Sequence, residues 1–507
     1  MPSHRSLPPP ARANGEDPRL AWGGSAPGER ARLRFRSLED WLDSDQVLRA
    51  GLQSVEVGTE ARGREVLRLL LQAYLDRRGT GEVGPGIEVM RGKGVLFLPR
   101  RRPLRQRGIA TTFGSVHVNR YRYAQRSGPS VHPLDEQLQL PQRSYSYELQ
   151  RRLVRRTVQG PFQEAIDGLR EATSVSIPKR SAQQIVVDAS RDVDAFYVHR
   201  TGPPARTAGP ILVAAIDCKG IPMVRPERAL RVVRRGKGKK ANKKRMATVG
   251  AVFTMEPRVR TPQEVVASLF DEERAPTHRS PRKGPQGKRV WASLLASKDA
   301  FVQDMVAEVD RRDPRQRKTR VVVSDGERAL QLRMAKALPR AVLVLDLIHA
   351  VEKLWAVAYV FHAEGSPEAH AFVRERTLRI LQGGVGPVVR GLRQTATKRR
   401  LRGARRKTLL GVATYLYHNR SRMRYHQYLA RGLPIASGSV EGACKNLIKD
   451  RMERSGMRWS EEGAEAMVKT RAVYLSKDFD EYWDYHVAQE QLRLYPPKRW
   501  RPVCARK

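Results

Sequence analysis

The chain is poor in cysteine, has no long apolar run and carries few acids for its number of bases. Each shortage excludes something. Three cysteines in 507 residues, Cys218, Cys444 and Cys504, are too few and too scattered for a disulfide framework or a structural zinc site, and they point to a reducing compartment. No stretch approaches the roughly 18 consecutive apolar residues of a membrane span, since the best, Ala341 to Ile348, is interrupted by Asp346. Met1 to Arg30 is rich in Pro, Gly and Arg and lacks the apolar segment of a secretory signal. Acids are the scarcest relative to need: 52 Asp+Glu stand against 96 Lys+Arg, a net charge of +44. A surplus of that size calls for an anionic partner, of which nucleic acid is the default; a cytoplasmic, nucleoid-associated protein with no membrane partner is expected. Solubility or an arginine-rich composition is the plainer explanation.

A chain of this length implies roughly three domains. Residues 1–36 are polar, basic and proline-rich, and are expected to stay unfolded. Residues 37–130 read as a helical plus β-hairpin module. Val66, Leu67, Leu70, Leu71 and Tyr74 form its apolar helical stripe, and a hairpin turns at Gly114-Ser115. Residues 131–200 read as helical. Phe162/Ala165/Ile166/Leu169 and Ile185/Ala189/Val193/Phe196 make two stripes, with Pro161 suited to a first helical position and Ser181 to an N-cap. That pattern fits a helix-turn-helix in a DNA-binding region or an ordinary helical hairpin.

From residue 208 the texture changes. Ile211 to Ile216 is a fully apolar run ending in Asp217, and Thr319 to Ser324, with Val321 to Val323 at its centre, reads as a second buried strand ending in Asp325. Met246 to Thr254, Arg289 to Ser293 and Ala341 to Leu345 read as further strands, and Lys298 to Arg311 as a helix. Runs apolar on both faces suit buried parallel strands. Three strands, a helix, then strand, helix and strand is the order of an RNase H-like mixed sheet. A Rossmann-like sheet lacks support, because no Gly-x-Gly-x-x-Gly follows the first strand. The fold class expected is therefore α/β, an RNase H-like catalytic domain whose first part spans 208–346. An all-helical insertion follows at 347–431, then final helices at 432–490 and a basic tail at 491–507.

Acids at the carboxyl ends of neighbouring strands stand where open sheets place their sites. Three such carboxylates would raise one another's pKa or hold a hard cation with oxygen ligands. Each also has a plainer reading: Asp217 and Asp325 can cap a turn, and Glu441 suits a helix dipole, with Lys445 as its i,i+4 partner.

Several blocks resemble one family in order and spacing. These are Asp217 to Glu227, Lys244 to Val252, Ser324-Asp325-Gly326, Leu345 to Trp355 and Gly432 to Trp459. Together they resemble the ISKra-type insertion-sequence transposases, from about residue 109 to the C-terminus. The resemblance implies a DDE transposase that binds terminal inverted repeats, cuts double-stranded DNA and joins the ends to a target. Asp217, Asp325 and Glu441 would be its catalytic, metal-holding acids, with two Mg²⁺ or Mn²⁺. Asp346 and His349 would support them, though His349 equally suits a hydrogen-bonded core. Phosphates would be met by Arg234, Arg235, Lys237, Lys239, Lys240, Lys243, Lys244 and Arg245 of a basic hairpin tip, and by Lys445, Lys449, Arg451 and Arg454. Trp459 would stack on an unpaired base or belong to the core. Synapsis implies a homodimer or larger assembly. The chain departs from the family at Tyr121 to Pro129, which has no cysteine where a Cys-x-x-Cys often stands, so a zinc module is not expected. A non-catalytic DNA-binding derivative of a transposase and a structure-specific nuclease are the alternatives.

Overall fold

The computed structural model describes residues 28–91, 94–200, 209–224, 244–270, 284–436, 438, 442, 444–497 and 500–503. Arg234, Arg235, Lys237, Lys239, Lys240, Lys243, Glu441 and Cys504 lie outside them. The chain forms two compact units, 1–185 with 483–507, and 186–482.

In the first unit, α1 (Glu29–Leu42), α2 (Asp45–Leu48) and α3 (Leu52–Arg77) precede β1 (Gly86–Arg91), β2 (Gly94–Thr111), β3 (Gly114–Ala124) and β4 (Ser130–Val131). The helix α1 takes up the end of the segment expected to be unfolded, and Ala31 is buried in it. Thr111 pairs with Gly114 across the hairpin, so the turn is Thr112-Phe113, just ahead of the expected tip; Gly114 takes φ +121, which favours glycine. The roll of α3 corrects the expected stripe. Of the expected stripe, Val66 is buried and Leu71 packs on the core beside Ile109 and Val116, but Leu67, Leu70 and Tyr74 are exposed, and Leu69 and Ala73 are buried instead. The two sets have the same helical spacing, one residue apart, and polar Gln72 decides between them. Its amide donates to the His117 carbonyl and accepts the His117 N–H, at 2.9 and 2.8 Å, locking α3 to β3.

The C-terminal strand Trp500–Val503 pairs antiparallel with β1 and completes a five-stranded sheet. The segment expected to be a basic tail at 491–507 thus contains a strand. Beyond β4 come α4 (Pro133–Gln137), α5 (Tyr147–Thr157), α6 (Phe162–Thr173) and α7 (Lys179–Ser190), then α8 (Val193–His199) in the second unit. Both expected stripes are buried. Pro161 is the N-cap of α6, however, and Ser181 lies inside α7, because the connection is only residues 174–178.

The second unit is a mixed α/β domain. Its sheet contains β5 (Ile211–Pro222), β6 (Lys244–Met255), β7 (Gln286–Ser293), β8 (Thr319–Ser324) and β9 (Val342–Leu345), in the order β7-β6-β5-β8-β9. Strands β5, β6 and β7 form an antiparallel meander, and β8 and β9 run parallel to β5. A short helix the sequence reading missed, α9 (Pro262–Phe270), lies between β6 and β7. Helices α10 (Lys298–Arg312) and α11 (Arg328–Ala337) bury Phe301, Met305, Leu330 and Met334 against Leu212, Ala214 and Ile216. Residues 347–431 form the expected helical insertion: α12 (Leu347–Ala358), α13 (Pro367–Leu381), α14 (Val385–Lys398), α15 (Gly403–Asn419) and α16 (Tyr425–Ala430). The final helices are α17 (Glu461–Leu475) and α18 (Phe479–Leu494). Among the described residues no helix is long and apolar enough to cross a membrane.

Edge strand β7 is held by charge on one side and by α17 on the other. Glu465 accepts the Ser293 hydroxyl and the Leu294 N–H, both at 2.8 Å, and the Ser476 hydroxyl accepts the Val290 N–H at 3.0 Å. Glu308 of α10, only 3 % exposed, accepts from Arg289 of β7 at 2.5 Å, from Arg312 at 2.6 Å and from Arg311. Burial pulls the Arg289 and Arg312 guanidiniums down to about 10, so one carboxylate keeps three cations in place. Replacing it with Glu308→Ala leaves buried positive charge uncompensated, and urea denaturation should show a loss of about 3–5 kcal/mol.

Candidate functional site

The site begins with a register. Parallel strands β5, β8 and β9 are aligned so that Ile216 faces Ser324 and Ser324 faces Leu345. The next residue in each strand is an aspartate. Asp217, Asp325 and Asp346 therefore follow the last paired residues of these strands at one end of the sheet. Here the structure corrects one detail of the expectation. Strand β5 does not stop at Asp217 but continues, paired with β6, to Pro222. Asp217 marks the point where β5 outruns β8, which opens the space beside it.

The three carboxylates are held differently. Asp346 is 2 % exposed, and its Oδ1 accepts the Ile348 N–H at 2.7 Å, capping α12. Half-buried Asp217 accepts its neighbour's N–H, from Cys218, on Oδ1 at 2.6 Å and the Cys444 thiol on Oδ2 at 3.2 Å. Half-buried Asp325 accepts the Glu327 N–H on Oδ1 at 2.9 Å. Burial pushes the Asp325 carboxyl above its ordinary range; the Glu327 N–H opposes the shift, the Asp217 charge adds to it and His349 opposes it. Asp217 and Asp325 are thus near enough to repel. His349, in the first turn of α12, faces Glu352 at 3.3 Å.

The loop after β8 is shaped by the insertion. The Tyr415 hydroxyl of α15 donates to the Asp325 carbonyl at 2.8 Å. Gly326 takes φ +95, and a Cβ there would come 2.6 Å from that hydroxyl, so both the turn and the contact require glycine. Glu327 caps α11 and pairs with Lys298 at 2.8 Å. Neither Tyr415 nor its contact had a local signal, because it lies far along the chain from Asp325.

The Gly432 to Trp459 stretch also reaches this corner. Leu347 N–H donates to the Ile435 carbonyl at 2.9 Å, and Cys444–Lys449 winds as a π-helical turn, a form frequent at functional sites. Cys444, three residues after Glu441, rests on Asp217; burial and that charge push its thiol well up, so it remains a donor. Trp459 pairs with the end of β5 through Pro222 and Val224. It is 7 % exposed and its indole donates to the Met452 carbonyl at 3.0 Å, which makes it a core residue with no open face for stacking.

The expected phosphate contacts divide. Lys445, Lys449 and Arg454 are exposed. Arg451 is fully buried, its guanidinium 4.9 Å from the Trp459 ring centre, and is not at the surface. Lys244 pairs with Glu453 at 2.7 Å and Arg245 with Glu461, so both already have acids.

Among the described residues no three metal-ligating side chains converge. Asp217 and Asp325 could together hold a divalent cation, since a positive ion would favour the ionised form of Asp325 that burial, and to a lesser degree the Asp217 charge, disfavours. A carboxyl whose folded pKa is raised stabilises the fold below its unfolded pKa, and that stability is lost as pH rises through the folded value. In chelator-treated protein, Asp325→Asn should therefore raise the thermal midpoint at pH 7, with the gain shrinking below the ordinary carboxylate range. Mg²⁺ or Mn²⁺ should raise the midpoint of the wild type more than that of the variant, as thermal denaturation with and without metal would show.

Comparison with protein-family models and with curated proteins returned no match to the chain.

Proposed function

We propose that the protein is a DDE-type DNA transposase and that its second unit is an RNase H-like catalytic domain with a helical insertion. One observation carries the reading: the parallel register pairs Ile216 of β5 with Ser324 of β8, so Asp217 and Asp325 follow side by side where the two strands part. The strand order, with an antiparallel meander and two parallel strands beyond it, suits the same fold. Asp217, Asp325 and Glu441 would hold the metal. When bound, a pair of Mg²⁺ or Mn²⁺ ions supplies the Lewis acidity that phosphodiester cleavage and joining require.

The chain's own groups do the positioning. Cys444 occupies one Asp217 oxygen and so fixes which way that carboxylate points. Tyr415 pins the Asp325 backbone, and His349 favours the ionised form of Asp325. Exposed Lys445, Lys449 and Arg454, on the stretch that touches Asp217, would neutralise substrate phosphates. The partner is double-stranded DNA, both transposon ends and target, and joining two ends would use at least a dimer.

Losing a carboxylate that holds the metal removes several kcal/mol of transition-state stabilisation, or about a thousandfold in rate. Asp217→Asn, Asp325→Asn and Glu441→Gln should each lose at least that much in Mg²⁺-dependent cleavage of end-containing duplex, while still binding it in gel shift. Joined products from the wild type distinguish a transposase from a nuclease. Cleavage by Asp217→Asn at the wild-type rate would overturn the assignment.

A further inference from the structure

The hairpin between α14 and α15 has no role in the chemistry above. Seven of the ten residues from Lys398 to Lys407 are Lys or Arg, and none is acidic. All seven are exposed, and among the described residues none has an acidic partner. Elsewhere the scarce acids are used on arginines, three of them around Glu308 alone. The hairpin is nonetheless ordered. Arg400 N–H donates to Thr397 and Leu401 N–H to Ala396, at 3.0 and 3.1 Å, closing α14 in a Schellman turn. The left-handed residue of that turn is Arg400, φ +45, at a position glycine adopts freely and a side-chain-bearing residue does not. The Arg399 guanidinium lies 4.8 Å from the Phe361 ring centre. The chain therefore keeps a dense, unpaired positive charge on a defined turn, at the expense of local backbone preference.

We infer that this tip is a sequence-independent docking surface for the phosphate backbone of duplex DNA, separate from the catalytic corner. Charge complementarity selects the occupant: regularly spaced phosphates match clustered guanidiniums that read no base. Helix α15 sets the distance. It runs from the tip to Tyr415, whose hydroxyl holds Asp325, a rise of about 20 Å at 1.5 Å per residue. That length is about six base pairs of duplex at 3.4 Å each, so one duplex lying along α15 would meet both the tip and the acids.

The inference rests on the proposed DNA chemistry, and binding measured without metal separates the two. The full-length protein would be titrated into a labelled random-sequence duplex in EDTA across a salt series, followed by fluorescence anisotropy. The variant carries Arg400→Gln, Arg402→Gln, Arg405→Gln and Arg406→Gln together. Each phosphate contact contributes about 0.9 to the slope of log affinity against log salt, so the variant's slope should be shallower by about 3 to 4. Arg400→Gly alone should weaken binding while raising the thermal midpoint, two effects of opposite sign that a purely structural role would not combine. A variant slope equal to the wild type's would overturn the inference and leave the site untouched, and would point to an acidic protein as the tip's partner. A wild type that binds no duplex would overturn both readings.

Discussion

The arrangement depends on the parallel register of β5 with β8. Pairing Ile216 with Ser324 places the two following residues, Asp217 and Asp325, at the same level, and the β8–β9 register adds Asp346 to the row. A slip of one residue would turn every apolar side chain of a strand to the other face. The core of Leu212, Ala214, Ile216, Val322, Phe301 and Met305 forbids that slip. Apolar packing on both faces of the sheet, where Val213, Ala215, Val321 and Val323 are buried as well, thus sets which two charges meet at its end. That placement works against ionisation of Asp325: burial raises its carboxyl, and the Asp217 charge adds to the shift.

Scarce acid and abundant base produce a second theme. With 52 acids for 96 bases, the internal carboxylates become hubs. Glu308 gathers Arg289, Arg311 and Arg312, and Asp135 gathers Arg107 and Arg120, whose guanidinium burial draws down to about 10. Asp313 takes Arg320 at 3.2 Å while also accepting the Arg317 and Lys318 N–H groups. Cations tied into such hubs hold strands and helices together. Among the described residues, the bases of the α14–α15 tip and Lys445, Lys449 and Arg454 are exposed and outside these hubs.

Much of the second unit was legible because buried strands write themselves as unbroken apolar runs. Ile211 to Ile216, and Val321 to Val323 within the next strand, were readable without a partner in view. What was not readable depended on neighbours. Strand β5 continues past Asp217 because β6 is there to pair with it. The roll of α3 follows from Gln72 meeting His117, and two stripes of equal period gave no way to choose. Trp500–Val503, with Pro502 and Arg501, has the composition of a tail and becomes a strand only because β1 offers an edge. Arg451 looked like a surface base among others, yet it is fully buried beside Trp459.

By itself the sequence determined the alternation of strands and helices, the helical insertion and the two aspartates that follow apolar runs. These are local consequences of periodicity and burial, carried by residues close in the chain. Only the tertiary structure decided that Asp217 and Asp325 share one corner and that Asp346 is instead taken up as a helix cap. It also brought Cys444 and Tyr415, from distant segments, to hold the two acids in place. Electrostatic repulsion and hydrogen bonding act across space, at a few ångströms, between residues that the chain separates by 90 positions for Tyr415 and Asp325 and 227 for Cys444 and Asp217. No local pattern records such a meeting until the sheet register makes it.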